Sequence, residues 1–134
     1  MSAMSTYLEN ALVNHVLRNT DYTTPGTTIY VGLIKYYDAA VVEAGTLTQE
    51  ASGGSYARVQ VTAWDAASNG ATQNTGAITF PTATGDWGGI SGVIISDHAS
   101  AGNVLLHGSL TSARDVKNGD VFKFNAGDLD VTFA

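Results

Sequence analysis

Apolar positions along this chain recur at two different periods, and the change of period divides it. Near the start Leu8, Leu12 and Val16 fall at i, i+4 and i+8, a helical stripe. Thr6-Tyr7-Leu8-Glu9 has the form of a capping box. The Thr6 hydroxyl would accept from the Glu9 N–H while the Glu9 carboxylate reaches back to the Thr6 N–H, so a helix is predicted to begin at Thr6. Arg18 suits the negative end of the helix dipole and Asn19 can stop the helix after about three turns. At about 100° per residue, Leu8, Ala11, Leu12, Val13, Val16 and Leu17 cover more than half the circumference. That is broader than a surface helix needs, so the arc either packs wholly on its own domain or is shared with a neighbouring subunit.

After the breaker Thr24-Pro25-Gly26 the period shortens to two. Thr28 to Lys35 puts Ile29, Val31 and Leu33 on one face of a strand, and Tyr56 to Trp64 alternates Val59, Val61 and Ala63 with Arg58, Gln60, Thr62 and Trp64. Between them, residues 38–54 lack periodicity and end in Ser52-Gly53-Gly54, which reads as an excursion loop. Ala77 to Phe80 is a short strand ended by Pro81. Ile90 to Ser96 is apolar on both faces, as a central strand covered on both sides would be, and Val104 to Leu110 returns beside it in an antiparallel hairpin. Val121, Phe122 and Phe124 follow the Asn118-Gly119 turn, and Leu129, Val131 and Phe133 alternate with Asp128, Asp130 and Thr132. These elements predict a mainly β fold: a single antiparallel β-sandwich or barrel-like domain of about seven or eight strands with an N-terminal α-helix. Residues 1–25 form a helical segment for packing or oligomerisation, and 26–134 form the sandwich with its excursion loop 38–54.

The chain's 134 residues suffice for one core, hiding roughly two-thirds of the unfolded surface. It has no cysteine, which excludes disulfides and thiolate-bound metal. The net charge is −6, and Arg18, Lys35, Arg58, Arg114, Lys117 and Lys123 form no run. Nucleic acid and anionic membrane surfaces are therefore not expected partners, because phosphate binding relies on clustered cations. Met1 to Asn10 has neither the basic region nor the apolar run of a signal peptide, so secretion is not expected.

Chemistry is sparse. There is no G-x-S-x-G elbow for a serine nucleophile, and His15, His98 and His107 are dispersed. Asp97, His98 and His107 have the right donor atoms for a metal. The hairpin register, however, sets His107 opposite Ile94 and His98 opposite Asn103, on the order of 13 Å apart. Asp128 and Asp130 stand roughly 7 Å apart on a strand face, a spacing that a wetted face also produces. No catalytic residue, cofactor or metal is predicted. Tyr36, Tyr37, Trp64 and Trp87 are aromatics able to anchor a partner or stack on sugar, with Trp87 between glycines also readable as a core plug. The candidate protein-interface residues are Leu8, Leu12, Val13, Leu17, Tyr36, Tyr37 and Trp64.

Several runs together resemble a known family. Tyr7-Leu8-Glu9-Asn10, Asn14-His15, Ile29-Tyr30-Val31, Ser52-Gly53-Gly54 with Tyr56-Ala57-Arg58, and Ile78-Thr79-Phe80-Pro81 through Thr84-Gly85-Asp86-Trp87-Gly88 are similar to small tailed-phage virion proteins. Gly102 to Gly108, Asn118-Gly119-Asp120 and Ala126 to Leu129 resemble the closing strands of that family, whereas Lys35-Tyr36-Tyr37-Asp38 departs from it. Its members are usually called tail fibre proteins, and some such small proteins act as capsid cement or decoration. The resemblance implies a non-enzymatic virion structural protein without catalytic residues. The first expectation is an outer capsid cement or decoration subunit, a homo-oligomer contacting the major capsid protein. The alternative is a tail fibre or baseplate-associated module, and host glycan enters only there, on an exposed platform of Tyr36, Trp64 and Trp87.

Overall fold

Ser5 decides how the chain enters its fold. The computed structural model describes residues 3–133. The first of these, β1 (Ala3–Met4), is followed by helix α1 (Thr6–Leu17). The Ser5 N–H donates to Leu105 O at 2.8 Å and its hydroxyl donates to Val104 O. These bonds hold Ser5 extended, so its Oγ accepts from the Leu8 N–H at 3.2 Å and Ser5, one residue before the predicted Thr6, is the N-cap. At the other end Asn19 takes a left-handed φ of 54°, ending the helix where the sequence predicts.

The remaining elements are β2 (Tyr30–Ile34), a short helix α2 (Ala39–Glu43), β3 (Val59–Gln60), β4 (Ala71–Gln73), β5 (Ile78–Thr79), β6 (Gly88–Ser96), β7 (Val104–Val116), β8 (Lys123–Phe124) and β9 (Asp130–Thr132). A five-stranded antiparallel sheet runs β1-β7-β6-β2-β3, and β4–β9 and β5–β8 form two antiparallel ribbons. The fold is mainly β with one helix of three turns at the start, as the sequence predicts, and it is not a closed barrel. β6 occupies the centre, pairing Leu33 with Val93 on one side and His107 with Ile94 on the other, as the sequence predicts; beyond Ile95 the register shifts by one residue, so Asn103 bonds to Asp97 instead of standing opposite His98. Farther along, Gly92 faces Ser109 while Ile90 faces Arg114, so β7 residues 110–113 bow out opposite Ser91.

Alternation along β2 and β6 gives the sheet two unequal faces. Val31, Leu33, Val93 and Ile95 join the larger core with Leu8 of α1, Ile78, Phe80, Phe122, Phe124 and Val131. Ile34, Ile94, Val104 and Val42 of α2 make a second, smaller cluster on the other face. Burying this many large apolar side chains at about 1.5–3 kcal/mol each makes the first face the main source of stability.

The two glycine-rich signatures of the sequence meet at the edge of the larger core. Trp87 is buried, stands edge-on to Tyr56 with ring centroids 5.2 Å apart, and donates from Nε1 to Gly54 O at 2.9 Å. Thr84 N–H donates to the same carbonyl at 2.9 Å. Gly54 has φ +52°, and a Cβ there would stand 2.8 Å from Gly85 O. Gly54→Ala therefore combines left-handed strain with a backbone clash and is expected to cost about 3 kcal/mol in urea unfolding. Gly26→Ala, at φ +64° with nothing within 4 Å, should cost about 1 kcal/mol.

Candidate functional site

Residues 36–54 leave the end of β2, cross the second face of the sheet and return along the same strand. Lys35 N–H donates to Gln49 O at 2.8 Å and Ala51 N–H to Leu33 O at 2.9 Å, which sets Glu50 opposite Ile34. There it meets Arg58, which immediately precedes β3. Arg58 grips Glu50 with Nε on Oε2 and Nη2 on Oε1, both at 2.8 Å. Its Nη1 reaches Ser96 Oγ at 3.0 Å, His98 O at 2.9 Å and Ala101 O at 3.1 Å, so the same guanidinium fastens the β6–β7 turn. Tyr56 Oη donates to Glu50 Oε2 at 2.8 Å and accepts from Leu33 N–H at 2.9 Å.

This clasp is nearly dry, with the side chains of Arg58 and Glu50 2% and 16% exposed. The hydrogen bond to Glu50 raises the Arg58 pKa, and burial, helped by the Glu50 charge, pushes the Tyr56 phenol well above its ordinary value. The strand beneath it leaves little room: a Cβ at Gly32 would lie 3.0 Å from both Glu50 Oε2 and Tyr56 Oη. Strand alternation puts Arg58 on a nominally polar face, but it contains no signal that the excursion folds back to cover that face.

The structure separates the sequence-predicted interface residues. Leu8 is buried in the chain's own larger core, so it is a packing residue. Leu12 and Trp64 are half-buried against that core, with Trp64 Nε1 donating to Val61 O at 3.3 Å. Both border an apolar cleft of about 260 Å³, whose wall also includes Tyr22, Ile29 and Phe133. Tyr37 is half-buried beneath the excursion, its hydroxyl 2.7 Å from His107 Nδ1, because Gly92 leaves room for the ring. Val13, Leu17 and Tyr36 remain 53%, 78% and 73% exposed. Val16, in the predicted apolar arc but not among the candidates, is 73% exposed. Val13, Val16 and Leu17 lie at i, i+3 and i+4 and form one patch on the outer side of α1.

The remaining polar candidates have local tasks. His98 Nδ1 accepts from the N–H groups of Ser100 and Ala101 at 3.1 and 3.0 Å, capping the hairpin turn. Asp97 holds Asn103 from both its backbone and its side-chain amide. Asp65, not one of those candidates, accepts from Thr75 Oγ1 and Gln73 Nε2, which lowers its pKa. Among the described residues, no group of three or more His, Asp or Glu is placed to hold a metal ion, and no helix is long and apolar enough to cross a membrane. The aromatic platform required for glycan stacking is not formed, because Trp87 is buried and hydrogen-bonded to Gly54.

The chemistry of the clasp makes Arg58→Lys a sharp test. An ammonium keeps the charge but cannot hold two carboxylate oxygens and the turn carbonyls together, so a loss of about 3 kcal/mol in urea unfolding is expected.

The profile of the family described as Podophage GP4 fiber I protein gp80 matches residues 3–132, from β1 through β9. A search of curated proteins returns no match. The chain therefore belongs to the Podophage GP4 fiber I protein gp80 family, a phage tail fibre-type family of virion proteins.

Proposed function

We propose that this protein is a non-enzymatic structural module of a phage tail fibre or baseplate, held in the virion through the outer side of α1. The observation that carries the attachment is the patch of Val13, Val16 and Leu17, three aliphatic side chains more than half exposed on a helix whose opposite side is sealed into the core. Such a patch is a recognisable docking feature, since its burial against a partner gains about 25 cal/mol per Å² of apolar surface. The rigid sheet behind it lets a load on the helix pass directly into β7, through Ser5 and the β1 pairing.

The family description favours a fibre over the outer capsid cement role expected first from sequence. The two readings differ in stoichiometry. A cement subunit stabilises a shell by binding the assembled lattice throughout, so its abundance follows the major capsid protein. A fibre module follows the tail.

Two measurements test the proposal. Quantitative mass spectrometry of purified particles should give a copy number set by the tail; abundance in proportion to the major shell protein would instead assign a cement role. Val16→Asp should shift unfolding stability by no more than about 0.5 kcal/mol, because the site is exposed, yet reduce incorporation into particles. Full incorporation of a stable Val16→Asp protein would remove the helix patch as the attachment.

A further inference from the structure

His107 takes no part in the Arg58 clasp, although it is buried on the same face of the sheet. It is 2% exposed, pairs with Ile94 of β6 on one side and with Ala3 of β1 on the other. Its Nδ1 lies 2.7 Å from Tyr37 Oη, and its Nε2 has no hydrogen-bond partner among the described residues. Tyr37 lies close against the sheet, for a Cβ at Gly92 would come within 2.5 Å of its ring. Its N–H donates to Ser91 Oγ at 2.9 Å, and that hydroxyl donates to Lys35 O at 2.7 Å. The entry of the excursion is thus fastened at Tyr37 and its exit at Glu50. Between them Val42 and Leu47 pack on the small second cluster.

We propose that His107 and Tyr37 form an acid-sensitive latch: a proton taken up by the imidazole unseats Tyr37 and lets residues 36–49 lift from the second face, hinged at the Glu50–Arg58 clasp. The first-face core stays folded. With the Tyr37 hydroxyl donating to Nδ1, the neutral ring carries its one proton on Nε2. Protonation adds an N–H at Nδ1, which takes away the acceptor of the Tyr37 hydroxyl and leaves a charged ring whose Nε2–H has no acceptor among the described residues, and burying such a charge is costly. The charged groups within electrostatic reach are Glu43 of α2 and Glu9 of α1, with Asp38 acting on Tyr37. β1 and β6 oppose the histidine with Ala3 and Ile94. Neither glutamate is hydrogen-bonded to the ring, and burial outweighs their attraction, so the His107 pKa lies below its ordinary value.

The sign follows from linkage. As pH falls past the ordinary histidine value of about 6.5, the open form takes up a proton before the closed form does. Closure therefore weakens as pH falls and is at full strength above that value.

Hydrogen exchange on the full chain at pH about 7.5 and about 4.5, corrected for intrinsic rates, tests the latch. The amides of Tyr37, Val42, Ala44, Gly45 and Thr46 should lose protection by about tenfold or more at acid pH relative to those of Phe80 and Trp87. His107→Gln should abolish that difference. Uniform loss across both faces, or the same selective loss in His107→Gln, would overturn the proposal. If His107→Gln does not fold, NMR titration of the unmodified protein decides: the His107 ring and the 36–49 amides must share one midpoint, and separate midpoints overturn the latch.

Discussion

A guanidinium buried as deeply as that of Arg58 must have its donors matched, and much of the second face follows from that requirement. Its partners come from three separate parts of the chain: Glu50 at the end of the excursion, Ser96 at the end of β6, and the carbonyls of His98 and Ala101 in the hairpin turn. Removing Arg58 or Glu50 alone leaves the other charge unpaired in a nearly dry site, and such losses are large compared with the net value of the intact pair. The clasp therefore acts chiefly as a specificity device. It dictates where the aperiodic segment lands and closes the edge of β2 that β3 leaves open.

The two faces of the sheet divide the labour. The larger face, with the aromatic cluster of Phe80, Phe122 and Phe124 and the Trp87 seal, supplies apolar burial that does not depend on ionisation. The smaller face is fastened by polar contacts to a thin covering of excursion and α2. Helix α1 stands at the junction, with Leu8 in the larger core, Ser5 bonded to β7, and its outer aliphatic patch free for contact.

The regular part of the fold was legible because each element satisfies one local period. β2 alternates, β6 is apolar on both faces as a central strand must be, the Ile94–His107 register follows from the turn between β6 and β7, and Asn19 stops α1 by adopting a conformation that asparagine tolerates. What escaped depends on long-range closure. The cap moved from Thr6 to Ser5 because β7, a hundred residues away in sequence, supplies the acceptors. Tyr37 looked like an exposed anchor, yet Gly92 on a distant strand makes a seat for its ring. Arg58 sat on a polar face by alternation, and only the return of residues 49–51 beside β2 turns that face inward. Of the candidate interface, Val13, Leu17 and Tyr36 lie exposed and Leu8 is buried, a difference that helical phase alone does not reveal.

The central claim, that the Arg58–Glu50 contact organises the second face, is tested most directly by a double-mutant cycle. Urea unfolding of Arg58→Met, Glu50→Leu and the double variant should give a coupling energy above about 2 kcal/mol, with the double variant more stable than the sum of the single losses allows. Losses that add to within about 0.5 kcal/mol would show that the two side chains act independently, and the clasp would no longer explain where the excursion lands.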